Sequence, residues 1–182
     1  MNEVIVLDYD PGWPGLFEEI RSSVWAAVSD IAIAIEHVGS TSVPGLAAKP
    51  VIDMDVVVAE GDVATGIDRL TGLGYEHRGD LGIPDREAFR QPAGSPRHHL
   101  YLCPSGSPAL ANHLAIRDYL RTNTRVANAY GALKKHLARE FPRDVDGYVE
   151  AKTGFLVGVL RKVGFPADAL AEIERMNMRP QR

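Results

Sequence analysis

The chain has one cysteine, Cys103, among its 182 residues. An internal disulfide is therefore excluded, and a lone thiol in an apolar run reads as a quiet core residue in a reducing cytoplasm. There is no apolar run near the roughly 18–20 residues that cross a bilayer, and no basic-then-apolar leader opens the chain. Neither a membrane span nor a secretory signal is expected. Positive charge is not in excess either: 20 Lys and Arg stand against 24 Asp and Glu. That balance argues against a protein that holds long nucleic acid by neutralising its phosphates, but not against a small phosphorylated ligand in a local basic pocket. Internal repeats and low-complexity tracts are also missing. What is present is 45% hydrophobic residues, enough for the ordinary core of one domain over residues 1–182.

The hydrophobic pattern changes period along the chain. Residues 3–8 alternate enough for a short strand. From Gly12 to Ser29 the apolar residues Trp13, Leu16, Phe17, Ile20, Val24, Ala27 and Val28 share one helical face, with Pro14 where a helix start tolerates proline. Strands are expected at 31–37, 51–58, 74–78, 87–91 and 98–103, with a helix from Asp62 to Leu73. Ser107 is a good cap ahead of Pro108, and helical periodicity follows over 107–122, 124–140, 146–163 and 167–176. The expected fold class is α/β (α+β): a mixed β-sheet with flanking helices over 1–105, a C-terminal helical bundle over 106–176, and a polar tail at 177–182.

The chemistry concentrates at 37–58. A Gly39-Ser40 turn leads through a short connection into the strand Val51-Ile52-Asp53-Met54-Asp55-Val56-Val57-Val58. Side chains alternate along a strand, so Asp53 and Asp55 share a face with Val51 and Val57, while Ile52, Met54, Val56 and Val58 can bury on the other. Aspartate is a poor strand former, and two of them interrupting so good a strand point to a site. Carboxylates roughly 7 Å apart along one strand suit a pair of divalent cations. A turn of main-chain N–H groups at the start of a helix suits an anion.

Gly39-Ser40, twelve residues, then Asp53-x-Asp55 resembles the signature of the nucleotidyltransferase superfamily, with its DNA polymerase beta type of fold. The surrounding residues narrow the resemblance. His37-Val38-Gly39-Ser40-Thr41-Ser42-Val43-Pro44-Gly45-Leu46 with Ala48-Lys49-Pro50-Val51-Ile52-Asp53 is similar to the hallmark of the GrpB family within that superfamily. The likeness extends through Leu7-x-Tyr9-Asp10-Pro11-x-Trp13 and Phe17, through His98-His99-Leu100-Tyr101, and through Arg117-Asp118-Tyr119-Leu120-Arg121. It continues in Tyr130, Leu133, Lys134, Tyr148, Lys152 and Phe155. At the place of Tyr101 the family tends to have histidine. The resemblance implies that Gly39, Ser40 and Thr41 hold the phosphates of a nucleoside triphosphate, and that Asp53 and Asp55 hold Mg²⁺ or Mn²⁺.

Two helices carry basic residues on their apolar faces. Arg117 and His113 fall among Leu110, Leu114 and Leu120, and Lys152 falls between Tyr148 and Phe155. Buried basic groups need a carboxylate partner or an anion, so Arg117 and Lys152 are expected to line a pocket for phosphate. Lys134, on the flank of its helix, reads as a snorkelling side chain. Lys49 precedes Pro50 at the entrance to the aspartate strand and could meet Asp53, Asp55 or a phosphate. The third carboxylate usual in nucleotidyltransferases has no obvious place. Glu87 is the first candidate and Glu76 the second, with His99 as a metal ligand or general base in its stead. His37 could brace the turn. The expected function is metal-dependent nucleotidyl transfer from a nucleoside triphosphate to a small molecule or protein. The alternative is a non-catalytic accessory module near coenzyme A synthesis, since GrpB-like domains occur fused to dephospho-CoA kinase.

Overall fold

In the computed structural model, which describes residues 3–178, the two strands on either side of the Gly39-Ser40 turn pair with each other. Strand β1 (Ala32–Val38) lies antiparallel to β2 (Ile52–Val58). On its other side β2 runs parallel to β5 (His98–Pro104). Two short antiparallel strands, β4 (Glu87–Arg90) and β3 (Glu76–His77), complete a mixed five-stranded sheet in the order β1-β2-β5-β4-β3.

Strand parity sets the layers. Ile52, Met54, Val56 and Val58, with Leu100 and Leu102 of β5, point to one face and meet helices α1 (Trp13–Val28) and α2 (Val63–Gly72). Trp13, Phe17, Ile20, Val24 and Val28 recur at the helical period and bury there, each such side chain contributing roughly 1.5–3 kcal/mol. Helix α2 approaches β5 closely because position 66 is glycine: a Cβ there would lie 2.9 Å from a methyl of Leu102.

The opposite face is divided. Val57 and Cys103, the latter with no exposed surface, pack under Leu110 of α3 (Pro108–Thr122). Helices α4 (Thr124–Glu140), α5 (Val145–Lys162) and α6 (Ala167–Asn177) continue the bundle and leave a cleft over the centre of the sheet. Side chains cap two of these helices: Ser107 accepts from the Leu110 N–H at 3.3 Å and Asp144 from that of Gly147 at 3.0 Å.

The strand expected at 3–8 does not form. Its alternation instead builds a strap, with a single bridge from Leu7 to Ala48 and the Val4 N–H donating to Pro142 O at 2.9 Å. Val4 is buried beside Leu137 and Tyr148, so the apolar side chains of the segment bind the helices instead of a sheet edge. Of the expected polar tail, residues 179–182 lie outside the described residues. No helix among the described residues is long and apolar enough to cross a membrane.

Candidate functional site

The Gly-Ser turn is braced by its neighbours, with Ser40 turned to the cleft. Gly39 adopts φ 67°, and a Cβ there would fall 2.1 Å from Asp53 Oδ2. Only glycine lets the carboxylate lie against the turn. Ser42 Oγ donates to Gly39 O at 2.7 Å, and Arg121 of α3 donates twice to Ser42 O, at 3.0 and 2.8 Å. Thr41 Oγ1 donates to Val51 O at 3.2 Å. That commits its one proton, so His37 Nε2, 3.1 Å away, must be the donor to the same oxygen. Burial lowers the His37 pKa to about 4, and its ring stacks on Phe17 at 4.5 Å. His37 and Thr41 brace the turn, while Ser40 is available to the cleft.

Asp53 and Asp55 share the cleft-facing side, as parity requires, but are not equally open. The Asp53 side chain is 28% exposed and accepts from His99 Nδ1 at 2.8 Å. A pair of cation ligands on one face implies that Asp55 is open as well, yet its side chain is 0% exposed, covered by α3, and accepts from His113 Nδ1 at 2.7 Å. Its second oxygen, Oδ1, is buried with no partner. An unsatisfied buried polar atom costs about 1–3 kcal/mol, more when charged. Among the described residues no three His, Cys, Asp or Glu side chains gather to hold a metal ion by themselves. One or two carboxylates suffice for magnesium when substrate phosphates and water complete its shell. With its orphaned oxygen, the pair fits a cation that arrives with a phosphorylated ligand.

Opposite the carboxylates stands a basic wall. Lys134 of α4 donates to Ser40 Oγ at 2.7 Å and lies 4.5 Å over the ring of Tyr130. Burial, then repulsion from Lys152, lowers its pKa to about 7, against the pull of Asp53. Lys152 of α5 is also shifted down by burial, with Asp53 opposing and Lys49 adding. Lys49 is lowered by burial first and then by Arg97. Lys49 and Lys152 lie 5.9 and 5.4 Å from the ring of Tyr148. Three ammonium groups, from α4, α5 and the connection ahead of β2, thus crowd into a partly dry space, a slot for a polyanion. The cavity measures about 600 Å³ and is lined by Ser40, Thr41, Lys49, Asp53, His99, Lys134 and Lys152 among others, a size that suits a nucleotide.

Three expected site residues are placed elsewhere. Glu87 pairs in register with Leu102, whose side chain faces the α1–α2 core, and its carboxylate accepts from His77 Nε2 at 2.6 Å at the sheet edge. The cleft-facing position beside Tyr101 belongs to Ala88, so Glu87 misses the site by one residue of parity. Glu76 bonds Arg78 and Arg90 instead. Arg117 does not line the cavity: its guanidinium meets Glu36 at 2.6 Å, Asp118 at 2.7 Å and His37 O at 3.3 Å. It positions the strand leading into the turn.

Four groups at the site were not assigned to it from sequence. Lys134, read as a flank residue whose head reaches water, is instead 2% exposed and lies in the buried stripe Ala127, Tyr130, Gly131, Lys134, Leu137. His113 shared the apolar phase of Arg117. Glu36 lies beside Asp55 in register, and Arg86 lines the cavity from the segment before β4; neither carried a local signal.

The fold has known counterparts. The crystal structure of the conserved protein GrpB from Enterococcus faecalis is 35% identical, superposes with a TM-score of 0.78, and covers 92% of this chain and 98% of that one. The Bacillus subtilis protein YqkA is 34% identical over 152 residues, which are 83% of this chain but only 44% of YqkA. Cid1 bound to the UTP analogue UMPNPP shares the fold at a TM-score of 0.55 and 15% identity, over 85% of this chain and 50% of Cid1. The fold is thus of the nucleotidyltransferase, polymerase beta-like type. The profile described as GrpB protein matches residues 3–162, and the chain belongs to the GrpB family.

Proposed function

We propose that the chain is a nucleotidyltransferase that transfers a nucleotidyl group from a nucleoside triphosphate to the hydroxyl of a small molecule or protein. The observation that carries this reading is the convergence of Lys49, Lys134 and Lys152 with Ser40 on one cavity, facing Asp53 across it. Ser40 and the three lysines would hold the β- and γ-phosphates and complement charge on the leaving pyrophosphate. Asp53 and Asp55 would hold Mg²⁺ or Mn²⁺, which when bound supplies positive charge against the phosphates. His99 keeps Nδ1–H on Asp53, which leaves Nε2 as the acceptor for a proton. The acceptor oxygen attacks the α-phosphorus, the bond to pyrophosphate breaks, and the hydroxyl proton passes to His99 Nε2.

Isothermal titration with UTP and with ATP tests this, in Mg²⁺, in Mn²⁺ and in chelator. Metal and nucleotide should bind cooperatively, and Asp53→Asn should abolish the coupling while leaving the melting temperature of the unliganded protein close to that of wild type. Nucleotide affinity that is equal with metal and with chelator defeats the reading and leaves a binding module without transfer chemistry.

A further inference from the structure

The cavity has a second end, away from the lysines. Arg86 precedes β4 and shares the parity of Ala88, which places it on the cleft-facing side of the sheet. Its guanidinium lies 4.3 Å over the ring of Tyr101, the β5 residue beside Asp55 in register. The residue is only 9% exposed. It forms no ion pair among the described residues, and its Nε has no hydrogen-bond partner. A ring face returns less than burial of a guanidinium removes, so this cation lacks its counterpart.

A second buried polar atom on the cavity wall, Asn112 Oδ1, also lacks a partner. Asn112 lines the cavity next to His113, the residue bonded to Asp55, and the His113 ring lies 5.8 Å from that of Tyr101. An orphaned cationic donor and an orphaned acceptor therefore line one cavity, connected through the rings of Tyr101 and His113. A ligand that satisfies both carries an oxyanion for Arg86 and a hydroxyl or amine for Asn112. The segment that delivers Arg86 is itself held in unusual backbone. Leu81 and Asp85, at φ 50° and 55°, are the non-glycine residues with positive φ among the described residues, and Ile83 and Pro84 between them line the cavity. Strain of this kind persists where the surroundings enforce it, often at ligand clamps.

We propose that Arg86 and Asn112 form the acceptor subsite, and that the acceptor is a small hydroxylated molecule carrying a carboxylate or phosphate. Its naming as an acceptor rests on the nucleotidyl-transfer reading; its binding chemistry does not. Arg86 is two strands from β2, roughly 10 Å across the sheet, so a small molecule can reach from the guanidinium to the aspartates. The fork of an arginine suits both oxyanions, and a lysine in its place would not reproduce it.

The test uses the full chain without nucleotide or metal. Glycerol 3-phosphate, glycerate and inorganic phosphate are titrated, with glycerol as the neutral control, while the Arg86 Nε–H resonance is followed by NMR and affinity by calorimetry. To silence the far end, the titrations are repeated in the Lys134→Gln/Lys152→Gln variant. The Arg86 signal should move with the oxyanions and not with glycerol, in both backgrounds. Affinity should fall about tenfold or more in Arg86→Gln. Arg86→Lys, which keeps the charge, should bind more weakly than wild type at an unchanged melting temperature. Preference for glycerol 3-phosphate over glycerate would assign a phosphorylated acceptor, and the reverse a hydroxy acid. An Arg86 signal unmoved by saturating oxyanion, or affinity unchanged in Arg86→Gln, overturns the subsite. Failure of the transfer reading looks different: nucleotide binding is then indifferent to metal, whatever Arg86 does.

Discussion

Lys134 is a charge placed where charge is least stable. Its residue is 2% exposed, and its pKa stands at about 7 in the fold against 10.5 for an ordinary lysine. Between those values the unfolded chain keeps a proton that the folded chain has given up, so stability rises with pH from about 7 to 10.5. Lys134→Met should flatten that rise and stabilise the unliganded protein at pH 6 by roughly 2–4 kcal/mol, after allowing for the lost bond to Ser40. Urea unfolding at pH 6 and pH 9 measures both effects. A polyanion in the slot should raise the pKa again, so its binding near pH 8 takes up protons. The position was legible in part. Helical phase marks it as buried, but a long aliphatic stem allows a flank lysine to reach water, and phase cannot say which outcome holds.

At the scale of elements, β2 was readable because its period is 2 and its two faces differ in chemistry. Asp53, Asp55 and the buried Ile52 and Met54 fall where alternation puts them. The third carboxylate was not readable. Whether Glu87 or Ala88 faces the cleft depends on the register of β4 against β5, a long-range pairing that no local pattern encodes. Similarly, the apolar phase of α3 identified Arg117 as inward but not its partner Glu36, which lies 81 residues away. The same helix makes a prediction of its own. Arg121 gives two hydrogen bonds to Ser42 O, and Ser42 is buried. Arg121→Ala leaves that carbonyl unpaired and should cost about 1–3 kcal/mol by urea titration. Because the turn then loosens, nucleotide affinity should fall although Arg121 touches no ligand.

For the molecule as a whole, the cleft is shared between a sheet that presents acids and helices that present bases, and α6 lies beyond the stretch matched by the family profile. Leu170 of α6 buries against Val157 and Leu160, while Ile173 and Met176 line the cavity. Ser40, Asp53 and the three lysines all precede it. Removal of residues 165–182 should therefore leave inorganic triphosphate binding intact and weaken binding of a nucleoside triphosphate, whose ring loses an apolar wall. It should also lower stability by on the order of 3 kcal/mol and raise the fluorescence of a hydrophobic dye. Calorimetry with both ligands, and denaturant titration of the shortened chain, are the measurements.

Cys103 gives this molecule an internal clock. It sits in the middle of the sheet with no exposed surface, and burial pushes its thiol up to about 12, with Asp55 adding to the shift. An alkylating reagent needs a thiolate in contact with water, and here it obtains one only when the strand under α3 opens. Because the chain holds no second cysteine, the loss of that one sulfur reports opening of the floor of the cleft: its equilibrium at low reagent, and its rate once reagent outpaces reclosing. A ligand that bridges sheet and helices would slow it.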